Sequence, residues 1–214
     1  ELVTGVLILP QRQTVLVAKQ AAEVDVLSGG RFRLGVGIGW NDVEYEGLNE
    51  EFHTRGARLS EQIEVMRALW SQDVVTYHGK WHHITDAGIN PLPIHHAIPV
   101  WMGGHADATF KRIAQIGDGW FPLGTPNERA HKLVDQLRRE IDAAGRDPKD
   151  IGIEAHLSIA LGSDSEMAAQ AESWASLGAT HLCVNTMRAG LDTPQKHIDA
   201  IRRLAGVLGV ASSA

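Results

Sequence analysis

Two groups of glycines hold the chemistry that this sequence offers. Gly35, Gly37 and Gly39 close the apolar run "RFRLGVGIGW", and Gly103 and Gly104 stand between "IPVWM" and "HADATFKRIAQIG". Bare backbone at the end of a strand lets a flat ring or a phosphate come close. The dinucleotide fingerprint G-x-G-x-x-G is not met. The spacing here is G-x-G-x-G followed by Trp40, and "NDVEYEGLNEEFHTRG" opens no apolar helix face. No acid closes a second strand about 20 residues on, where a ribose would need one. Gly103-Gly104 sits where a strand turns into a helix, so free N–H groups and the helix dipole would make a phosphate site there. A plain chain reversal is the equal alternative. His105, next in line, reads either as a phosphate contact or as an exposed helix-start residue.

Other reactive residue types make no signature. His82 and His83 are adjacent in a strand-like arm, so they point to opposite faces and do not share a metal. His95 and His96 lie in a Pro-flanked loop, and there is no H-E-x-x-H or cysteine cluster, so no metal site is expected and the loop histidines read as solvated. Ser28 and Ser158 lie in no G-x-S-x-G turn, which leaves a serine hydrolase without support. Trp101 and Trp120 bracket the Gly103-Gly104 region and read as core packing. Arg55 reads as one half of a helix-start ion pair. The lone Cys183, inside the apolar run "HLCVN", reads as a buried thiol in a reducing, cytoplasmic compartment. A formal charge of -6 with scattered Lys and Arg argues against nucleic acid as a partner. No apolar stretch approaches the roughly 20 residues of a membrane span.

The elements that must position these residues alternate. Leu2–Leu9 reads as a strand buried on both faces, and Thr14–Leu27 as a helix with Val15, Ala18 and Ala22 inward, stopped by Gly29-Gly30. "RFRLGVGI" is a second strand. Leu59, Ile63, Met66 and Trp70 mark one face of a long helix. Strands follow at 98–103, 118–123, 151–161 and 180–185. Between and after them come helices at Ala106–Ile116, Glu128–Ala144 (Ala130, Leu133, Leu137 and Ile141 inward), Asp164–Leu177 and Pro194–Leu204. Strand–helix alternation implies a parallel sheet with right-handed crossovers. The exception is Asp73–Pro99, read as an inserted β-hairpin and loop around "HGK". No linker splits the chain, so 1–214 reads as a single domain.

The segments "TGVLILPQRQTVLVAKQAAEVDVLSGGRFRLGVGIGW", "HTRGARLSEQIEVMRALW", "YHGKWHHI" and "PVWMGGHADATFKRIAQIGDGWFP" together resemble the bacterial luciferase-like monooxygenase family, and within it the coenzyme F420-dependent oxidoreductases. The resemblance implies an α/β fold, a TIM-like (β/α)8 barrel, of which this chain is expected to hold the last six βα units without the first two. It implies coenzyme F420, or alternatively FMN, at the carboxyl ends of the strands, hydride transfer to or from a small-molecule substrate, and a homodimer. It places a bulge, often with a non-prolyl cis peptide, at Thr4-Gly5-Val6, with Gly5–Val6 as the bond. It places the ring or substrate cleft at Gly37, Gly39 and Trp40, and the phosphate at Gly103, Gly104 and His105. Some deazaflavin dehydrogenases carry a proton-donating acid in the turn where this chain has Trp40, which leaves Asp42 and Glu44 as the nearest catalytic candidates. The expected activity is that of a coenzyme F420-dependent oxidoreductase. The alternatives are an FMN-dependent monooxygenase using O2 and a non-catalytic ligand-binding barrel.

Overall fold

The computed structural model describes residues 1–210, and they divide into two compact units. The first joins Glu1–Gly103 to Arg112–Gly119. The second joins Gly104–Lys111 to the chain from Trp120 onward.

In the first unit the opening strand is broken in two. β1 (Leu2–Val3) and β2 (Leu7–Ile8) both run parallel to β3 (Phe32–Gly37), and a short 3-10 turn, Leu9–Gln11, follows β2. Leu2 and Val3 are 54% and 37% exposed, so the expected two-sided burial belongs to β3, where every residue is buried. Helix α1 (Thr14–Ser28) ends on Gly29, whose φ of 69° is left-handed and whose N–H closes on the Asp25 and Val26 carbonyls. Thr14, Ala18, Ala21 and Asp25 centre its buried face. Val15 lies about 100° round the helix from Thr14, which leaves it 44% exposed rather than inward.

A short helix with no apolar face, α2 (Asp42–Gly47), was not legible in the sequence. Asn41 caps it by accepting from the Val43 N–H. Helix α3 (Arg55–Ser71) buries Leu59, Ile63, Met66 and Trp70 as the spacing predicts, with the polar Arg58 and Gln62 buried among them. The insertion is the expected antiparallel hairpin, β4 (Val75–His78) with β5 (His83–Ala87). β6 (Val100–Gly103) then pairs parallel with β3.

Helix α4 (Asp107–Ile116) and the short β7 (Gly119–Phe121) each contribute residues to both units. The second unit continues with α5 (Glu128–Ala143), β8 (Gly152–Ser158), α6 (Asp164–Ser176), β9 (His181–Asn185) and α7 (Pro194–Val207). On α5 the buried set is Ala130, Val134, Leu137 and Ile141, so Val134 takes the place expected of Leu133. β8 stops at Ser158, three residues short of the expected end, because the chain tightens into a 3-10 turn over Ile159–Leu161. Ser163 and Glu166 then form a reciprocal capping box that starts α6. No helix among the described residues is long and apolar enough to cross a membrane.

Candidate functional site

The break between β1 and β2 is a β-bulge. Val3 pairs with Arg33 and Leu7 with Val36, so the first strand spends one residue more than β3 over the same stretch. Thr4 closes the gap. Its hydroxyl donates to Gly35 O at 2.8 Å and accepts from Gly35 N at 2.9 Å, replacing a missing ladder partner with a side chain. The Gly5–Val6 bond is cis, where the resemblance places it. Thr4 therefore holds the bulge, and its one proton is committed to Gly35. Thr4→Val leaves both Gly35 groups unmatched. We expect it to lower stability by about 1–3 kcal/mol, read as a reduced urea midpoint, with Thr4→Ser close to native.

The bulge sets Val6 between two bare strand ends. A Cβ on Gly37 would stand 3.0 Å from Val6 Cγ2, and one on Gly103 would stand 3.7 Å from Val6 Cγ1. Val6 is 36% exposed. One aliphatic side chain flanked by side-chain-free backbone makes a small apolar platform at the carboxyl ends of β3 and β6.

Gly39 serves differently. Its φ is 68°, and the space where its Cβ would stand is taken by Ile8 Cγ2 at 2.9 Å and the Tyr45 ring at 3.4 Å. The Tyr45 hydroxyl donates to Ile38 O at 2.5 Å, and burial pushes its pKa up, so that proton stays in place. Gly39 is thus bare for internal packing. Trp40 is 86% exposed. Glu44 accepts from Gln11 Nε2 and Asn41 Nδ2, both at 3.2 Å, and Asp42 accepts from the Val43 N–H at 3.1 Å. Both acids are exposed and engaged locally.

Residues that position the platform from behind were not singled out in the sequence. Gln62 Nε2 reaches Leu9 O, Arg12 O and Thr14 Oγ1 at 3.0–3.2 Å, and Arg58 Nη2 donates to Pro10 O at 2.9 Å. Together they clamp the turn that follows β2. The helix-start ion pair expected of Arg55 is made instead by Arg58 with Glu50 at 3.2 Å. Arg55 lies over the Phe52 ring, 3.6 Å from its centroid.

His82, set in a strand-like arm by the sequence, is held on both ring nitrogens. Its Nδ1 lies 2.8 Å from Glu61 and its Nε2 lies 2.6 Å from Thr14 Oγ1. Glu61 also accepts the N–H groups of Lys80, Trp81 and His82 at 2.8–2.9 Å, fastening the hairpin to α3. Burial pushes the Glu61 pKa up, but the donors outweigh it and hold it below the usual 4.5. A depressed folded pKa gives stability that is complete above 4.5 and is lost as pH falls through the folded value. We expect native stability to fall across that acid range in urea titrations, and Glu61→Gln to lack that component of the fall.

In the second unit the Gly104 corner is left-handed, with φ 110°. Its carbonyl accepts from Trp120 Nε1 at 2.7 Å, and the buried Trp120 meets Phe110 edge-on at 5.3 Å. Trp120 is core, as expected, but it also anchors this corner. The Thr109 and Phe110 amides bond to Ala106 O, and the amides before them precede the helix's own ladder. His105 is exposed at this end. An anion here shares the helix's positive end with the Asp107 carboxylate, which accepts from Gln136 at 2.7 Å.

Elsewhere in this unit, parallel pairing of β8 and β9 sets Glu154 opposite His181 and His156 opposite Cys183. One ligand atom from each of Glu154, His156 and Cys183 lies within 4.8 Å of the others. Cys183 is half-buried rather than fully buried, and burial followed by the Glu154 charge pushes its thiol up. No short motif marks this grouping, because cross-strand register makes it.

A family described as luciferase-like monooxygenase matches residues 1–206. An uncharacterized protein of Mycobacterium tuberculosis is 38% identical over 141 residues, 66% of this chain and 48% of the relative. The F420-dependent glucose-6-phosphate dehydrogenase of Mycolicibacterium gilvum is 32% identical over 172 residues, 77% of this chain and 51% of the relative. The chain thus spans about half the length of these curated relatives. Among solved structures, an F420-dependent secondary alcohol dehydrogenase in complex with an F420-acetone adduct superposes with a TM-score of 0.78 at 17% identity. It covers 96% of this chain and 78% of its own. That likeness shows the fold, of the TIM-like (β/α)8 class.

Proposed function

This chain belongs to the luciferase-like monooxygenase family, and on that premise we propose that it serves a coenzyme F420-dependent oxidoreductase acting on a small organic molecule. The observation that carries the reading is the platform of Val6 between Gly37 and Gly103, whose bare backbone suits one face of a flat ring. The fit is one of shape: a Cβ on Gly37 would crowd Val6 and roughen the surface. The names of the glucose-6-phosphate and secondary alcohol dehydrogenases support the deazaflavin. A homodimer in the cytoplasm completes the reading, implied by the family resemblance.

Bound coenzyme F420 supplies a carbon that takes or gives a hydride. The chain's part is positioning. Thr4 holds the bulge that presents Val6, Arg58 and Gln62 fix the turn behind it, and Gly37 and Gly103 keep the approach clear. We assign phosphate to the Gly104–His105 corner, where unengaged amides and the helix dipole favour an anion. Gly5 belongs to the bulge, and Gly39 and Trp40 to the wall beside the platform. Asp42 and Glu44 remain the candidate acids of that loop.

The test is a fluorescence titration of the full-length protein with coenzyme F420 and with FMN in separate experiments. Selective binding of coenzyme F420 is the expected result. Selective binding of FMN would point to the monooxygenase instead. A folded protein that binds neither leaves the reading without its cofactor.

A further inference from the structure

We propose that Glu154, His156 and Cys183 form a divalent transition-metal site, of the kind suited to zinc, on the shared face of β8 and β9. Side chains two apart on a strand share a face, so Glu154 and His156 project together. The register sets Cys183 directly beside His156. The opposite face of β8 carries the buried Ile153, Ala155 and Leu157, so the backbone beneath the three ligands is packed.

Donor chemistry and spacing both fit. Imidazole, thiolate and carboxylate are the usual protein ligands of zinc, and bonds of about 2.0–2.3 Å in a tetrahedron set ligand atoms roughly 3.3–3.8 Å apart. His156 Nε2 lies 3.6 Å from Glu154 Oε1, and the three ligand atoms lie within 4.8 Å of one another. At 3.6 Å the imidazole–carboxylate contact is too long for a hydrogen bond.

His156 Nε2 is buried without a hydrogen-bond partner. An orphaned ring nitrogen costs stability, and a metal gives it a partner. The Phe121 ring meets the imidazole edge-on at 6.3 Å and supports its orientation. The His156 side chain is 38% exposed and that of Glu154 is 5% exposed. On binding, the Cys183 thiol gives its proton to solvent and its sulfur bonds the metal, and the cation offsets the Glu154 charge. Three protein ligands leave a fourth position for water or another small ligand.

Cobalt(II) is the probe, titrated into the full-length chain under a non-thiol reductant. The expected result is a saturable thiolate-to-cobalt charge-transfer band that zinc(II) abolishes. Cys183→Ser should lose the band, and His156→Ala and Glu154→Gln should each bind cobalt at least about tenfold more weakly. A folded native chain that gives no such band overturns the proposal, as does a band that survives Cys183→Ser. Should the variants fail to fold, zinc-edge X-ray absorption on the zinc-loaded native chain decides the matter. One sulfur scatterer with nitrogen and oxygen neighbours supports the site, and a shell without sulfur refutes it.

Discussion

Gly103→Asp is expected to bind coenzyme F420 about a hundredfold more weakly than the native chain, a loss of ~2.7 kcal/mol, while its unfolding midpoint stays nearly unchanged. The two readouts separate because of where a side chain would go. A Cβ at this position meets only Val6 Cγ1 at 3.7 Å, an ordinary van der Waals contact, and Gly103 has no left-handed φ to lose. It ends a strand, so a side chain there alters stability by less than about 1 kcal/mol. The carboxylate would instead stand at the edge of the apolar platform, adding bulk and an unpaired charge where a ring must lie flat. Gly103→Ala should show a smaller loss in the same titration. Native-like binding by the Asp variant would mean that the ring does not rest on this surface.

A large stability effect is expected at Gly119→Ala, with a loss of about 3 kcal/mol or more. A Cβ there would fall 2.1–2.4 Å from three carbons of the Trp101 ring. The ring cannot retreat easily. It is 3% exposed, and the Arg33 guanidinium lies over its face at 4.4 Å. Urea unfolding of the single variant, and of the double variant Gly119→Ala with Trp101→Leu, tests the clash directly. If the clash is the cause, the two changes are non-additive, and the smaller Leu recovers part of the loss caused by the alanine. Simple additivity would assign the cost to the backbone instead.

Much of this architecture was legible because the helices obey simple periodicity. Leu59, Ile63, Met66 and Trp70 fall inward on α3 as their spacing requires, and Gly29 ends α1 where a left-handed residue is needed. The failures have physical causes. A hydropathy pattern cannot show that a threonine hydroxyl replaces a strand's ladder bonds, so "LVTGVLIL" read as one strand. Buried Arg58 and Gln62 look like surface residues until their carbonyl partners on the turn after β2 are known. The strand-end glycines stand out by their spacing, but spacing does not separate Gly37, which flanks Val6, from Gly39, whose bareness accommodates Ile8 and Tyr45. The Glu154–His156–Cys183 group lies beyond linear reading because its closeness arises only once β8 and β9 pair.

The hydrogen bond from Trp120 to Gly104 has an optical consequence. The chain has six tryptophans, and this buried one is bonded through its indole N–H to the backbone of the corner assigned to phosphate. Indole emission follows the polarity and hydrogen bonding around its ring. An anion that draws on the Gly104–His105 backbone should therefore shift Trp120 emission even if it is itself colourless. The exposed Trp40 supplies a red-shifted background that Trp40→Phe removes. Inorganic phosphate, pyrophosphate and phosphate-bearing substrates can then be ranked by colour change alone, with no coenzyme in the cuvette.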